Sequence, residues 1–297
     1  TAAWISCAGQ LPWGQPGDQR ADDVWSLTYD WPVDAPLELL GHAHVELAVR
    51  ANAPVAFLSA KLCDVFPDGT SALITRGFLN LCHRHGSTAP TPLPVGEPVA
   101  VAVELEATSW VVPAGHILRL AIAGTDWPNT WPPPAAVDLE IDRRSVELAL
   151  PVVTTDAPLP DPPRFAPPPV DPAADGADIG AGPTRPTVWR IEHDVLARRT
   201  CAVVDHGSTY DAPHGARVTE WYSGEVGVYI DDPGEAWATA TTRFEVSWPE
   251  LAASTEARMS VRSTVDALDV AIELDVYADG ESFASRRWRE RIPRRLM

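Results

Sequence analysis

Between Val45 and Leu150, apolar residues recur at every second position. Val45-Glu46-Leu47-Ala48-Val49, Val99–Leu105, Ile117–Ile122 and Val146–Leu150 all show the period of a strand with one buried face. Turn signals separate the runs. Pro67-Asp68-Gly69 closes a hairpin between strands expected at Phe57–Val65 and Ser71–His83, Pro94–Pro98 leads into the next strand, and Pro113-Ala114-Gly115-His116 turns into another. Nothing between Thr1 and Pro151 keeps a helical period over three turns, so the pattern predicts an all-β body.

From about Thr154 to Thr187 the texture changes. Roughly a third of these residues are proline and large apolar side chains are scarce. Proline fixes φ and lacks an N–H donor, so this linker is expected to run extended and outside any sheet. Beyond it, alternation returns at Val188–Ile191, Thr200–Val204, Val226–Ile230, Thr241–Trp248 and Met259–Ser263. A last hairpin pairs Leu268–Tyr277 with Ser282–Ile292 around Ala278-Asp279-Gly280. The expected organisation is a first β domain over residues 1–153, a Pro-rich linker over 154–187 and a second β-sandwich-like domain over 188–297.

Composition narrows the setting. With 297 residues, 45% of them hydrophobic, the chain can fill ordinary cores. A formal charge of -18, spread along the chain, argues against nucleic acid or an anionic membrane as partner. No apolar run reaches the roughly 18 residues of a spanning helix. The start, TAAWISCAG, lacks the pattern of a signal peptide and enters core-like sequence at once, which suggests a fragment. Four cysteines, Cys7, Cys63, Cys82 and Cys201, follow no zinc or redox spacing. In the predicted hairpin Cys63 falls opposite a residue near Ile74 and Cys82 opposite one near Val55, too far apart for a disulfide. Reduced thiols fit a cytoplasmic compartment.

Two stretches carry more than a pattern. Ala56–Gly69 reads AFLSAKLCDVFPDG and resembles the strand and turn "akLvDVxPDG" of X-Pro dipeptidyl-peptidase C-terminal domains. Val112–Asn129 reads VPAGHILRLAIAGTDWPN and is similar to "PGHRxRLxIxSxxFPxxxxN" of the same group, the cocaine-esterase-like CocE/NonD hydrolases. With the leading SLTYDWPVDAPLELLGHAHVELAV, the resemblance covers about residues 20–150 in order. It departs at Trp127–Pro134, where a bulkier, proline-stiffened loop replaces the usual Phe-Pro stretch. The closing Arg286–Arg294 looks like the terminus of longer members that carry an extra β region. The implied fold is a jelly-roll β-sandwich, galactose-binding-like, followed by a second antiparallel β domain.

In that family an α/β-hydrolase domain supplies the Ser, Asp and His, and the jelly roll borders the cleft. Such a nucleophile needs a G-x-S-x-G elbow. None occurs here, and the Ser/Gly strings Gly69-Thr70-Ser71 and His206-Gly207-Ser208 do not supply one. The resemblance implies a non-catalytic C-terminal part of a serine hydrolase, an acyl esterase or X-Pro dipeptidyl-peptidase, whose partner is the catalytic domain of the same parent and which is inactive alone. An interface left exposed in the fragment could also drive self-association. The alternative is a carbohydrate-binding jelly roll, because 12 tryptophans offer ring faces for sugars.

Phe66, Trp127 and Trp131 are the residues expected at the cleft or interface, since proline-stiffened loops hold aromatics at low entropic cost. His83-Arg84-His85 would place two imidazoles on one strand face, but no third ligand is evident, so no metal is assigned. Asp64 and Asp68-Gly69 read as a strand end and turn rather than a calcium loop. Asp205, His206 and Ser208 sit too close in sequence to give triad geometry. No cofactor is expected.

Overall fold

The computed structural model describes residues 17–154, 161, 164–167, 182–183 and 186–297. The chain divides into two compact units, residues 1–159 with 296–297 and residues 160–295.

In the first unit, α1 (Arg20–Asp23) is a single helical turn. It is followed by β1 (Leu27–Pro32), β2 (Leu37–Gly41), β3 (His44–Ala51), β4 (Phe57–Val65) and β5 (Ser71–Asn80). Then come β6 (Val99–Glu104), β7 (Thr108–Val112), β8 (Ile117–Ala123), β9 (Leu139–Ile141) and β10 (Glu147–Ala149). One sheet has the order β1-β8-β4-β5, a second has β10-β3-β6 with β9 also on β3, and β2 pairs β7. All pairings are antiparallel. The non-sequential order brings β8 between β1 and β4, so chain-distant residues meet on one sheet.

Period-two alternation decides what each strand buries. Leu58, Ala60 and Leu62 of β4 share the inner face with Leu118, Leu120 and Ile122 of β8, and meet Val45, Leu47, Val49, Val101 and Val103 from the second sheet. Leu39 and Val112 bring the small third sheet into the same cluster. The result is the all-β sandwich that the alternation and the family resemblance both predicted.

Cys63 faces Leu73, next to Ile74 as expected, after the register slips by one residue at Leu62. One local expectation is corrected. The second hairpin strand stops at Asn80, whose side chain accepts from the Cys82 N–H and caps a 3-10 turn at Leu81–His83. Cys82 therefore lies outside the strand, and its thiol donates to the Pro54 carbonyl at 3.4 Å. Cys63, Cys82 and Cys201 are free thiols; Cys7 lies outside the described residues.

The second unit contains β11 (Gly182–Pro183), β12 (Val188–Asp194), β13 (Arg199–Ala212), β14 (Ala216–Tyr229), β15 (Ala236–Ser247), β16 (Ala252–Ser263), β17 (Ala267–Ala278) and β18 (Glu281–Pro293). They form one antiparallel sheet that winds up and down from β13 to β18, with β11 and β12 both pairing β13. Gly182 and Pro183, expected outside any sheet, pair with Thr209 and Ser208. A proline is tolerated there because only two residues join, at an edge. Most of the remaining linker lies outside the described residues.

Register gives this sheet two unlike faces. One row runs Gly224, Ala240, Met259, Ile272 and Trp288; the neighbouring row on the opposite face runs Trp221, Arg243, Glu256, Asp275 and Ser285. At one edge, β18 carries Arg286, Arg287, Arg289 and Arg291, of which Arg287 and Arg291 reach across to Asp275 and Asp269.

Gly77 of β5 is buried where β5 passes the end of β6. A Cβ there would run into the Glu104 carbonyl and come within 3.1 Å of the Leu105 Cα, both backbone. Gly77→Ala is expected to destabilise the first unit by about 1–3 kcal/mol through overpacking, read as a lower urea midpoint. An unchanged midpoint would show that the strands can separate at no cost.

Candidate functional site

The outer face of the β1-β8-β4-β5 sheet should be wet, and it is not. Ser59, Lys61 and Cys63 point away from the core, beside Ala121 and Arg119 of β8, yet Lys61 is only 5% exposed. An ammonium cannot be buried without partners. α1 and the residue before it supply them. Lys61 Nζ donates to Asp22 Oδ2 and to Gln19 Oε1, both at 3.3 Å. Arg119 Nη1 donates to Asp23 Oδ2 at 3.0 Å, while its Nε and Nη2 form a two-pronged bond to Asp30 at 2.7 Å each. The Asp30 and Asp23 hydrogen bonds hold the Arg119 guanidinium more firmly charged than usual.

The entry to α1 is pinned as well. Gln19 N–H donates to the Ser71 carbonyl at 2.7 Å, and the Ser71 N–H donates to Asp18 Oδ1 at 3.3 Å. Arg20 holds the Asp18 carboxyl down at about 2. One helical turn is thus fastened to the sheet by charge. The two residues that follow it, Val24 and Trp25, are 75% and 82% exposed. Together they form a large exposed apolar pair immediately beside a fixed ionic anchor.

A second polar cluster sits at the end of the core. Asp64, on the inward row of β4, is buried; His116 Nδ1–H donates to its Oδ1 at 2.8 Å and Trp110 Nε1–H to its Oδ2 at 3.2 Å. The His116 ring lies 5.0 Å from that of Phe66. The carboxylate ties the PDG turn after β4 to the PAGH turn before β8, a structural use of both motifs. Asp68 accepts from the Thr70 N–H at 2.9 Å inside its own turn, as a turn aspartate does.

Among the residues expected at the cleft, Phe66 is half-buried beside His116, Trp131 is half-buried, and Trp127 is only 7% exposed. Next to Trp127, Asp126 is buried, 3.8 Å from Arg76 Nη1 and bonded by Asn129 Nδ2–H at 3.1 Å. Burial nevertheless raises its carboxyl above the ordinary value. Burial also pushes the Cys63 thiol up to about 12, which removes it as a nucleophile.

The remaining chemistry-bearing residues do not converge. His83 ends the 3-10 turn rather than lying on a strand, and Arg84 is bonded to the Leu81, Thr91 and Pro92 carbonyls. Asp205 and His206 are neighbours on β13 and so face opposite ways; Asp205 accepts from Trp221 Nε1–H, while Ser208 Oγ–H donates to Glu220. Among the described residues no group of three His, Cys, Asp or Glu could hold a metal ion, and no helix is long and apolar enough to cross a membrane.

Val24 and Trp25 did not stand out in the sequence. The available signal was Lys61, one cation inside an otherwise apolar buried strand, which demanded a carboxylate from elsewhere.

Residues 13–159 match the X-Pro dipeptidyl-peptidase C-terminal non-catalytic domain. Over 127 residues the chain is 35% identical to a Mycobacterium bovis protein assigned as a serine esterase, covering 37% of this chain and 20% of that protein. It is 32% identical over 118 residues to the cocaine esterase of Rhodococcus sp. strain MB1 Bresler, covering 38% and 20%. A solved alpha-amino acid ester hydrolase aligns with a TM-score of 0.42 at 20% identity, over 46% of this chain and 27% of that one. The chain spans about a fifth of the length of the curated relatives it matches.

Ionised Asp126 opposes folding, because its folded carboxyl titrates above the ordinary 3.8. Its contribution is most favourable below that value and is lost as pH rises through the raised one. Asp126→Asn is therefore expected to raise the unfolding free energy at pH 7 and to give no gain at pH 3. Urea unfolding at the two pH values checks this; a loss at pH 7 would mean that Arg76 outweighs desolvation.

Proposed function

We propose that the chain is the non-catalytic C-terminal part of a CocE/NonD-type serine hydrolase, an acyl esterase or X-Pro dipeptidyl-peptidase, and that its first unit packs on an α/β-hydrolase domain and borders the substrate cleft. The observation that carries this reading is the match of residues 13–159 to a non-catalytic domain, together with relatives assigned as esterases of which the aligned stretch makes up only about a fifth. The catalytic Ser, His and Asp belong to that other domain. The role of this chain is to supply a rigid wall, exclude water and hold the cleft open to the acyl or peptide group.

In this reading Val24 and Trp25 are the anchors, and the charges of Asp22, Lys61, Asp23 and Arg119 keep α1 from yielding when they dock. Phe66 and Trp131 border the cleft, with Trp127 bracing the loop from beneath. The jelly roll is assigned to 1–153, the linker to 154–187 and the second β domain to 188–297. The free thiols support a reducing, cytoplasmic setting.

The purified chain is expected to show no protein-proportional turnover of a p-nitrophenyl ester or an X-Pro-anilide. It should bind the separately produced catalytic domain of its parent, and Trp25→Asp should weaken that binding at least about tenfold, the range of an interface anchor. Calorimetric titration reads the second point. Turnover by the chain alone would overturn the reading, and an unchanged affinity would overturn the docking face.

A further inference from the structure

The charged face of the second unit holds two arginines that no carboxylate among the described residues neutralises. Where β15 to β18 lie side by side, Arg243, Arg258 and Arg287 each pair with an acid, at 3.3 Å to Glu245, 3.6 Å to Glu256 and 3.0 Å to Asp275. Arg262 of β16 and Arg289 of β18 share that face by register and, among the described residues, have no such partner. Both line a groove of about 410 Å³ over β17, within the roughly 300–1,000 Å³ typical of small-molecule sites. We propose that this groove binds a phosphoryl dianion, free or carried by a small organic monoester, between Arg262 on one side and Arg289 with Arg291 on the other.

Small residues make the hollow. Ser260, Ala271 and Arg289 form one cross-strand row, and Arg262, Asp269 and Arg291 form the next on the same face. The middle of the first row is therefore only a methyl group, with guanidinium-bearing residues around it. β16 and β18 are the two neighbours of β17 and stand about 10 Å apart at the usual strand spacing, a gap that long side chains can close over Ala271. Arg291 is already held in place, because its Nη1 donates to both oxygens of Asp269, at 2.9 and 2.8 Å. Its Nε and Nη2 have no acceptor among the described residues and remain available. A phosphoryl group presents its oxygens in the geometry that guanidinium forks meet two at a time.

The charge count sets the ligand's class. Val270 and Glu290 complete the lining with Ser260, and as alternate residues of their strands they face the opposite side of the sheet. Even with Glu290 counted, three arginines stand against two carboxylates; on the groove's own face they stand against Asp269 alone. This local excess of positive charge lies in a chain of formal charge -18. A neutral ligand would leave Arg262 and Arg289 uncompensated, and a single carboxylate would leave one of them so. A phosphate monoester, with about two negative charges near neutral pH, satisfies both. A long polyanion would meet the acidic remainder of the chain and be repelled.

The test is calorimetric titration of the full chain with inorganic phosphate, glucose 6-phosphate and glucose. At least one of the two phosphates is expected to bind saturably with a Kd below about 1 mM, and glucose is not. Tighter binding of the ester assigns the site to a small phosphorylated molecule; equal or tighter binding of the ion assigns it to free phosphate. Arg262→Gln and Arg289→Gln, both at exposed positions, should each weaken binding about tenfold or more, the scale of a lost charge-assisted hydrogen bond, with an unchanged urea midpoint. Ala271→Glu sets a carboxylate in the floor, keeps every arginine and should abolish binding. Arg286→Gln, on the opposite face of β18, should leave it unchanged. If Ala271→Glu loses its cooperative unfolding transition, the two arginine variants decide the matter. Silence with both phosphates, glucose binding as tightly as they do, binding that survives both arginine variants, or binding lost in Arg286→Gln would each overturn the proposal. The outcome is independent of whether the first unit packs on a hydrolase domain.

Discussion

Lys61 is the constraint around which the first unit is organised. It sits mid-strand in β4, between β8 and β5, on the face a sandwich normally leaves to solvent, and it is nevertheless buried. An unpaired ammonium in such a place would cost several kcal/mol. Asp22 and Gln19 meet it only if the chain before β1 folds back across the sheet, and the Arg119 bonds to Asp23 and Asp30 hold the same turn from the other side. The charges do not merely decorate the surface; they decide where α1 lies, and α1 decides where Val24 and Trp25 point.

The fold was legible wherever burial is one-sided. β3 and β6 alternate cleanly because one face meets the core, and the predicted runs fall within two residues of the observed strands. The second unit was read in pieces that were too short. β13 continues through Asp205-His206-Gly207-Ser208, and β14 reaches back through Gly224 to Ala216, past residues that punctuate a chain when they stand alone. Here, cross-strand pairing holds them in the ladder. Gly227 is also the space into which Trp237 lies, a requirement set by a residue ten positions away.

The site was legible in a different way. The PDG and PAGH motifs named the family, but their polar residues turn out to bind each other, through Asp64 and His116, rather than a ligand. Trp127 was a sound choice by residue type, yet its ring is mostly covered, because aromatic content reports available area and not its direction. Trp25 was missed for the converse reason. A tryptophan beside two aspartates reads as a loop until the partners of those aspartates are known.

The arginines of β18 bear on how the molecule behaves at high concentration. A terminal strand of a flat, many-stranded array ordinarily offers its backbone to any similar strand and so seeds filaments. In β18, cationic groups stand on both sides of the ribbon, Arg286 on one and Arg287, Arg289 and Arg291 on the other. Two such borders brought together antiparallel would set guanidinium against guanidinium in a protein that is elsewhere acidic. Lateral growth is thereby disfavoured at this margin, where backbone geometry alone would invite it.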